Sequence, residues 1–215
     1  CRGLSDGSAS IGGITGGNGI YSYSWLDSLG NDLGQNNDTA TGLPAGTYTI
    51  TVTDQKGCSD DTTVTVEEPD VLFANSTAQD SVSCFGLLDG KASVTAIGGN
   101  GDYSYLWDAS AGSQTNDTAI NLGAGTYTVT VTDQYGCSDD TTVTVEEPDV
   151  LFANTTGVDS VSCFGLFDGK ASVTAIGGNG DYSYLWDAAA GSQTSDTAIN
   201  LGAGTYTVTV TDQYG

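Results

Sequence analysis

One block of sequence occurs twice almost unchanged, and this repetition constrains the fold more than any other feature of the chain. The two close copies are residues 84–136 and 163–215, and a more divergent copy precedes them. The two close copies differ from each other at three positions, Leu88/Phe167, Ser110/Ala189 and Asn116/Ser195. Equivalent cysteines, such as Cys84 and Cys163, lie 79 positions apart, which is the size of a small single-core domain. We therefore expect the chain to be a segment of a longer tandem array.

A strictly alternating stretch in each copy predicts a half-buried strand. In residues 125–136, which read GTYTVTVTDQYG, Tyr127, Val129 and Val131 share one face while threonines occupy the other. The turn residues Asp-Gln-Tyr-Gly follow, and a second alternating run begins at Thr141. Two such runs joined by a short turn predict an antiparallel hairpin.

Short strand signals separated by glycine-rich turns fill the rest of each copy, and no stretch has helical periodicity. This pattern predicts an all-β protein of tandem immunoglobulin-like β-sandwich repeats in an extended array. The predicted strands of the middle copy are residues 71–77, 81–84, 91–97, 103–107, 118–122, 126–132 and 141–146. Its predicted core is Val94, Tyr103, Tyr105, Trp107, Ile120, Leu122, Tyr127, Val129, Val131, Val143 and Val145, with Trp107 placed centrally, as expected of a large ring on a middle strand.

Two Glu-Glu-Pro-Asp sequences predict the boundaries between repeats, because proline ends a strand and cannot donate to its ladder. They stand at residues 67–70 and 146–149. We therefore expect a first repeat at residues 1–69, lacking its first strand. We expect a complete repeat to follow at residues 70–148. The third repeat is expected at residues 149–215, lacking its last strand.

The net charge of −23 limits the partners of the chain. Affinity for nucleic acid comes mainly from basic side chains on phosphates, and the chain has only four cations, so nucleic-acid binding is not expected. The same charge opposes anionic lipid surfaces, and the sequence has no long apolar run for direct membrane insertion. The acidic surface is expected to keep an array soluble.

Five cysteines at regular positions predict disulfides and an oxidising, extracellular setting. The favoured pairing joins Cys1 to Cys58 and Cys84 to Cys137, and leaves Cys163 to pair beyond the present sequence. Because Cys84 precedes the second predicted strand and Cys137 follows the sixth, their Cα atoms could lie too far apart for a bond. Pairing of Cys58 with Cys84, pairing of Cys1 with Cys137, and free thiols are the alternatives.

The order of motifs along each copy resembles a known family. Cys-x-Gly-x-x-Asp-Gly at residues 84–90 is followed by Gly-Gly-x-Gly-x-Tyr-x-Tyr-x-Trp at 98–107. Leu-x-Ala-Gly-Thr-Tyr-Thr-Val-Thr-Val-Thr-Asp at 122–133 and Gly-Cys at 136–137 complete the series. The combination is similar to the SprB-type repeat of Bacteroidota cell-surface gliding adhesins and, more distantly, to PKD-like domains.

The resemblance implies a long protein of the outer cell surface, exported by the type IX secretion system, in which tandem repeats form a stalk for attachment and gliding motility. Its implied partners are neighbouring repeats of the same chain and surfaces or polysaccharides. It also implies O-glycosylation at threonines that follow an aspartate. The preferred candidates are Thr39, Thr118 and Thr197.

The residue types present do not favour an enzyme. The chain has no histidine, and adjacent acids such as Asp139 and Asp140 would point to opposite faces of a strand. No cofactor is expected, with calcium as the one candidate, because carboxylates near a repeat boundary could bind it. The candidate ligands are Glu67, Glu68, Asp70, Glu146, Glu147 and Asp149, with the turn acids Asp54, Asp133 and Asp212. A solvated acidic surface explains the same residues without a metal.

Two other functions fit parts of the pattern. A carbohydrate-binding module needs an exposed aromatic platform, for which Tyr135 and Tyr214 are the candidates, although Lys56 replaces them in the first copy. Self-association into an extracellular filament needs strand complementation, for which the incomplete first and last repeats leave room.

Overall fold

A computed structural model describes all residues of the chain, 1–215. The alternating runs form strands as expected, and the only helices are two 3-10 turns, Ala109–Ala111 and Ala188–Ala190. Neither is long or apolar enough to cross a membrane. The strands are β1 (Gly7–Ser10), β2 (Ser22–Leu26), β3 (Thr39–Leu43), β4 (Gly46–Thr53), β5 (Ser59–Val66), β6 (Phe73–Asp80), β7 (Gly90–Ile97), β8 (Ser104–Trp107), β9 (Thr118–Leu122), β10 (Gly125–Thr132), β11 (Ser138–Val145), β12 (Asp149–Asp159), β13 (Gly169–Gly178), β14 (Ser183–Trp186), β15 (Thr197–Leu201) and β16 (Val208–Thr211).

Each copy divides its strands between two sheets. In the middle copy the strand orders are β6-β7-β9 and β11-β10-β8. The first copy has β1-β3 and β2-β4-β5, and the third has β12-β13-β15 and β14-β16. Two small sheets whose strands are interleaved along the chain are typical of immunoglobulin-like sandwiches. The predicted fold class, all-β with tandem immunoglobulin-like β-sandwich repeats, is confirmed.

The structure comprises two compact units, and the middle copy contributes to both. The first unit consists of Cys1–Phe73, Ala96–Ser104 and Val131–Asp139. The second consists of Ala74–Thr95, Tyr105–Thr130 and Asp140–Gly215. The first unit thus contains the whole first copy with loops of the middle copy, and the second contains the whole third copy with the remaining strands.

The hairpin predicted from the alternating runs is present in the first copy. Strands β4 and β5 pair antiparallel, with Tyr48 opposite Val64 and Ile50 opposite Thr62. Tyr48 and Ile50 are buried, whereas the threonines between them lie toward solvent. Period-two burial therefore gives each sheet one apolar face, and these faces form the core.

A buried tryptophan occupies each copy. Trp25, Trp107 and Trp186 are at most 3% exposed, and the indole Nε1 of Trp107 donates to the carbonyl oxygen of Asn116 at 2.9 Å. Because the acceptor is a main-chain atom, the serine that replaces Asn116 in the third copy accepts equally well, from Trp186 at 2.8 Å. Trp107 is central in the core as predicted, although its strand β8 lies at a sheet edge.

One predicted core residue of the middle copy is wrong. Ile120 is 45% exposed, while its neighbours Ala119 and Leu122 are buried. Asn121 between them has a left-handed backbone (φ 56°), and the register of β9 against β7 shifts there. Ile120 faces solvent because Ala119 faces the core, and the extra residue of the bulge places Leu122, but not Ile120, on the core side.

The strand predicted at residues 81–84 is also wrong. Strand β6 ends at Asp80, and the chain then enters a loop in which Val82 N donates to the carbonyl oxygen of Glu146 at 3.0 Å. Ser83 N donates to Oδ1 of Asp89 at 3.0 Å. These bonds replace a strand ladder and hold Cys84 in a loop.

Candidate functional site

Three loops of each copy carry the residues with the most specific contacts. We call them the first loop, the glycine loop and the last turn. The first loop is residues 1–6, 84–89 and 163–168 in the three copies; the glycine loop is 16–19, 98–101 and 177–180; the last turn is 54–58, 133–137 and 212–215.

A buried aspartate ties the last turn of the middle copy to its glycine loop. Asp133 is 4% exposed, and its Oδ1 accepts from the backbone N–H groups of Tyr135 and Cys137, both at 2.9 Å. Its Oδ2 accepts from Asn100, from N at 3.0 Å and from Nδ2 at 3.1 Å. Four bonds to one carboxylate therefore fix the position of Cys137.

Hydrogen bonding has a larger effect than burial on the pKa of Asp133. Burial raises the pKa of Asp133, but the bonds from Cys137, Asn100 and Tyr135 lower it further, and the net pKa lies below the ordinary 3.8. The pKa values of Asp54 and Asp212 are lowered too, chiefly by the N–H groups of Cys58 and Asn179 respectively. All three last turns thus contain an ionised acceptor at neutral pH.

The glycine loop requires glycine because the backbone passes close to a neighbouring segment. Gly98 has φ 76°, and a Cβ there would lie 2.0 Å from the carbonyl oxygen of Val71. At Gly99 (φ 60°) a Cβ would meet Oδ2 of Asp133 at 3.0 Å. The glycines therefore allow Asn100 to approach the last turn.

The first loop is held by a glutamate at the end of the same copy. Gly3 N donates to Oε2 of Glu68 at 2.9 Å, and Nε of Arg2 lies 3.3 Å from Oε1 of the same side chain. In the middle copy Gly86 N donates to Oε2 of Glu147 at 3.0 Å. Two of the predicted calcium ligands thus serve as acceptors for loop N–H groups.

The predicted calcium ligands do not gather into one site. No group of three or more histidine, cysteine, aspartate or glutamate side chains with metal-binding proximity exists in the chain. The turn acids, as described, accept from N–H donors instead. Calcium binding at Glu67, Glu68, Asp70, Glu146, Glu147 and Asp149 stays a prediction.

The disulfide of the structure joins the first copy to the middle copy. Cys1 in the first loop is bonded to Cys137 in the last turn, with a Cα–Cα distance of 5.2 Å. The favoured pairing of Cys1 with Cys58 and of Cys84 with Cys137 is therefore wrong, and the alternative Cys1–Cys137 bond is present. The physical reason is that the last turn of one copy lies against the first loop of the preceding copy. Cys58, Cys84 and Cys163 are free thiols.

A groove lies beside the Cys1 end of this disulfide in the first unit. Its walls include Cys1, Leu4, Pro69, Asn100 and Tyr135. The glycine loop and last turn of the middle copy thus contribute to one junction with the first loop of the first copy.

The three candidate glycosylation residues occupy equivalent positions at the start of a strand. Thr39 begins β3 and is exposed, with its hydroxyl donating to Oδ1 of Asp38 at 3.1 Å. Thr118 and Thr197 are half-buried, and their hydroxyl oxygens lie 3.0 Å from those of Ser93 and Ser172 respectively. Thr39 is therefore the most accessible candidate, and glycosylation stays a prediction.

We expect Asp133→Asn to lower the unfolding temperature by several degrees. One carboxylate oxygen becomes an NH2 group that faces N–H donors, so at least one bond to Asn100 or to the turn is lost. Asp140→Asn is the matched control, because it removes the same charge from an exposed position on β11. Calorimetry at pH 7 measures both, and equal unfolding temperatures would contradict the role of Asp133.

The same carboxylates predict how the wild-type chain responds to acid. Because their folded pKa lies below the unfolded value of 3.8, they stabilise the fold fully above that value. That contribution is lost as the pH falls through the folded pKa. The unfolding temperature is therefore expected to be nearly constant from pH 8 to about 5 and to fall below about pH 4.

The family model that matches this sequence is the SprB repeat, at residues 1–30, 76–112 and 155–191. The three matches recur once per copy, and each includes the first loop of its copy together with strands that follow. With one match in each copy, this chain is similar to SprB-type repeat proteins. SprB repeats are found in cell-surface proteins, and the three matches support a repeat-type segment of a surface adhesin. The family and the sandwich fold are those of a structural protein.

Similarity to individual proteins is more limited. The decoration protein of Escherichia phage T5 is 40% identical over 76 residues, which is 30% of this chain and 46% of the phage protein. The chain therefore spans less than half the length of that curated relative. The crystal structure of the N-terminal eight Ig domains of Down Syndrome Cell Adhesion Molecule (DSCAM) isoform 1.30.30 is 13% identical, with a TM-score of 0.30. That match covers 79% of this chain and 28% of the other.

The sequence analysis did not predict the hydrogen bonds between the asparagine of the glycine loop and the aspartate of the last turn. Asn100 and Asp133 lie 33 residues apart, as do Asn179 and Asp212. The fixed spacing of a Gly-Gly-Asn-Gly run and a Thr-Asp turn was the available signal. It also missed Asp108, whose carboxylate accepts from the N–H groups of Ala111 and Thr128.

Proposed function

We propose that this chain is a structural segment of a large extracellular adhesin, in which SprB repeats form a stalk for surface attachment. The Cys1–Cys137 disulfide is the observation that carries the proposal, because it joins two successive copies by a covalent bond. A protein that acts at one pocket gains little from such a bond. A stalk that transmits tension between a cell and a surface needs neighbouring repeats to stay together.

Two further properties support an extracellular location. Disulfides persist in oxidising compartments outside the cytosol. The net charge of −23 on 215 residues favours solubility and mutual repulsion of neighbouring chains. Export by the type IX system and a part in gliding motility belong to the proposal as the resemblance implies them.

Contacts with surfaces or polysaccharides are proposed to be weak and repeated along the array. Tyr135 and Tyr214, in equivalent last turns, are 70% and 61% exposed and offer aromatic contacts. A weak contact that recurs in every copy gains affinity through avidity, without a deep pocket in any single copy.

Shortening the array in the cell that produces it tests this function. Deletion of residues 70–148 removes one period and keeps the flanking copies in phase. We expect attachment to surfaces to fall several-fold, while antibodies against the remaining repeats still label the cell exterior. The fall is expected because reach and the number of contacts both decrease.

Insertion of one additional copy of residues 70–148 is the matched control, and attachment should be retained. Unchanged attachment after the deletion, with normal surface labelling, would contradict the proposal. Binding of one defined glycan by the purified chain with micromolar affinity would favour the carbohydrate-binding module instead.

A further inference from the structure

The five cysteines occupy only two positions of the repeat. Cys1, Cys84 and Cys163 begin the first loops, while Cys58 and Cys137 end last turns. The one disulfide joins the first loop of one copy to the last turn of the copy that follows it. Cys58, Cys84 and Cys163 are free thiols. If every disulfide joined a first loop to the last turn of the next copy, the partner of each would lie outside residues 1–215.

The second unit contains the same junction, complete except for a second cysteine. Nδ2 of Asn179, in the glycine loop of the third copy, donates to the carbonyl oxygen of Ser83, the residue before Cys84. Asn179 is the counterpart of Asn100, which lines the groove with Cys1 in the first unit. The third copy therefore presents its glycine loop to the first loop of the middle copy, as the middle copy does to the first.

The last turn of the third copy is formed up to its final residue. Tyr214 N donates to Oδ1 of Asp212 at 3.0 Å, and Gly215 N donates to its carbonyl oxygen at 3.1 Å. The equivalent bonds at Asp133 are 2.9 and 3.0 Å, and they place Cys137 beside Cys1. At the period of 79, the residue equivalent to Cys137 would directly follow Gly215.

The exposure of the first loops agrees with this arrangement. Phe85, in the first loop that faces the third copy, is 56% exposed. Phe164, its counterpart in the third copy, is fully exposed. The difference is what partial cover by the glycine loop and last turn of a following repeat would produce.

We propose that the first-loop cysteine of each repeat forms a disulfide with the last-turn cysteine of the next repeat, so that the array is cross-linked at every junction. Cys84 is thus the modification site of the second junction. The two thiols lose two protons and two electrons, and a small-molecule disulfide takes them up and leaves as two thiols. Cys163 is the corresponding site for a fourth copy.

The test extends the chain by a single cysteine after Gly215. The protein is refolded at low concentration with oxidised and reduced glutathione, and free thiols are alkylated. Cleavage beside Asp and Glu then separates the cysteine peptides for mass spectrometry. We expect a Cys1–Cys137 bond, a bond from Cys84 to the added cysteine, and alkylation of Cys58 and Cys163.

The matched control carries serine at the added position, and in it Cys84 should be alkylated while Cys1–Cys137 still forms. The proposal is overturned if the added cysteine is alkylated or joins Cys58 or Cys163. It is equally overturned if Cys1–Cys137 does not form. A non-reducing gel restricts the mapping to monomers, so a bond between two chains is not counted as support.

Discussion

Reduction of the Cys1–Cys137 disulfide is expected to lengthen the fully stretched chain from about 27 nm to about 73 nm, at roughly 3.4 Å per residue. In the oxidised protein the disulfide joins two residues that are 136 positions apart in the sequence. Tension applied at the two ends of the chain passes through the disulfide, so the segment between the two cysteines is not stretched. Only the roughly 80 residues after Cys137 can then extend. Single-molecule force spectroscopy, with and without a thiol reductant, measures the contour length directly.

Cysteine variants separate this effect from other actions of the reductant. Cys137→Ser should give the long contour length without reductant. Cys58→Ser removes a free thiol and should leave the oxidised chain at the short length. An oxidised wild-type chain that extends to the long contour length would show that the copies are not cross-linked in solution.

Replacement of Trp107 by alanine is expected to cost about 3 to 5 kcal/mol, the range for truncating a large buried aromatic. Trp107 is 1% exposed and bonds to the carbonyl oxygen of Asn116, so the change leaves a cavity and an unpaired acceptor. A domain of this size has little stability in reserve. We therefore expect a large part of the middle repeat to unfold near room temperature.

Leu106→Ala is the matched control, because Leu106 precedes Trp107 on the same strand but is 55% exposed. Its expected effect is within about 0.5 kcal/mol, as for most surface positions. Urea unfolding is followed by circular dichroism, which includes the middle copy, because the fluorescence of Trp25 and Trp186 reports only on the other two copies. Equal midpoints for the two variants would contradict the central position of Trp107 in the core.

The sandwich could be predicted because its strands follow from local alternation. Tyr127, Val129 and Val131 alternate with threonines, and all three are buried. Ile120 was wrongly placed because the left-handed backbone at Asn121 interrupts the period, and alternation alone does not reveal a bulge. Local pattern therefore gives the strands but not their irregularities.

The junction could be predicted only in part, because its contacts connect residues far apart in sequence. Cys1 and Cys137 are 136 positions apart, and the pairing depends on how one copy follows another. Composition suggested that cysteines pair, yet nothing within a single copy identifies the partner. The roles of Glu68 and Asp133 were hidden for a related reason, since an acidic residue that accepts from backbone N–H groups looks like any other acid in the sequence.

The covalent loop also determines what a protease can separate. Trypsin cleaves after lysine and arginine, and the chain offers only Arg2, Lys56, Lys91 and Lys170. A cut after Lys56 or Lys91 falls between Cys1 and Cys137, so the two fragments remain attached through sulfur. A cut after Lys170 lies outside that span and releases the C-terminal piece. A single cut between Cys1 and Cys137 therefore leaves the chain covalently connected, whereas a single cut after Cys137 divides it into two separate fragments.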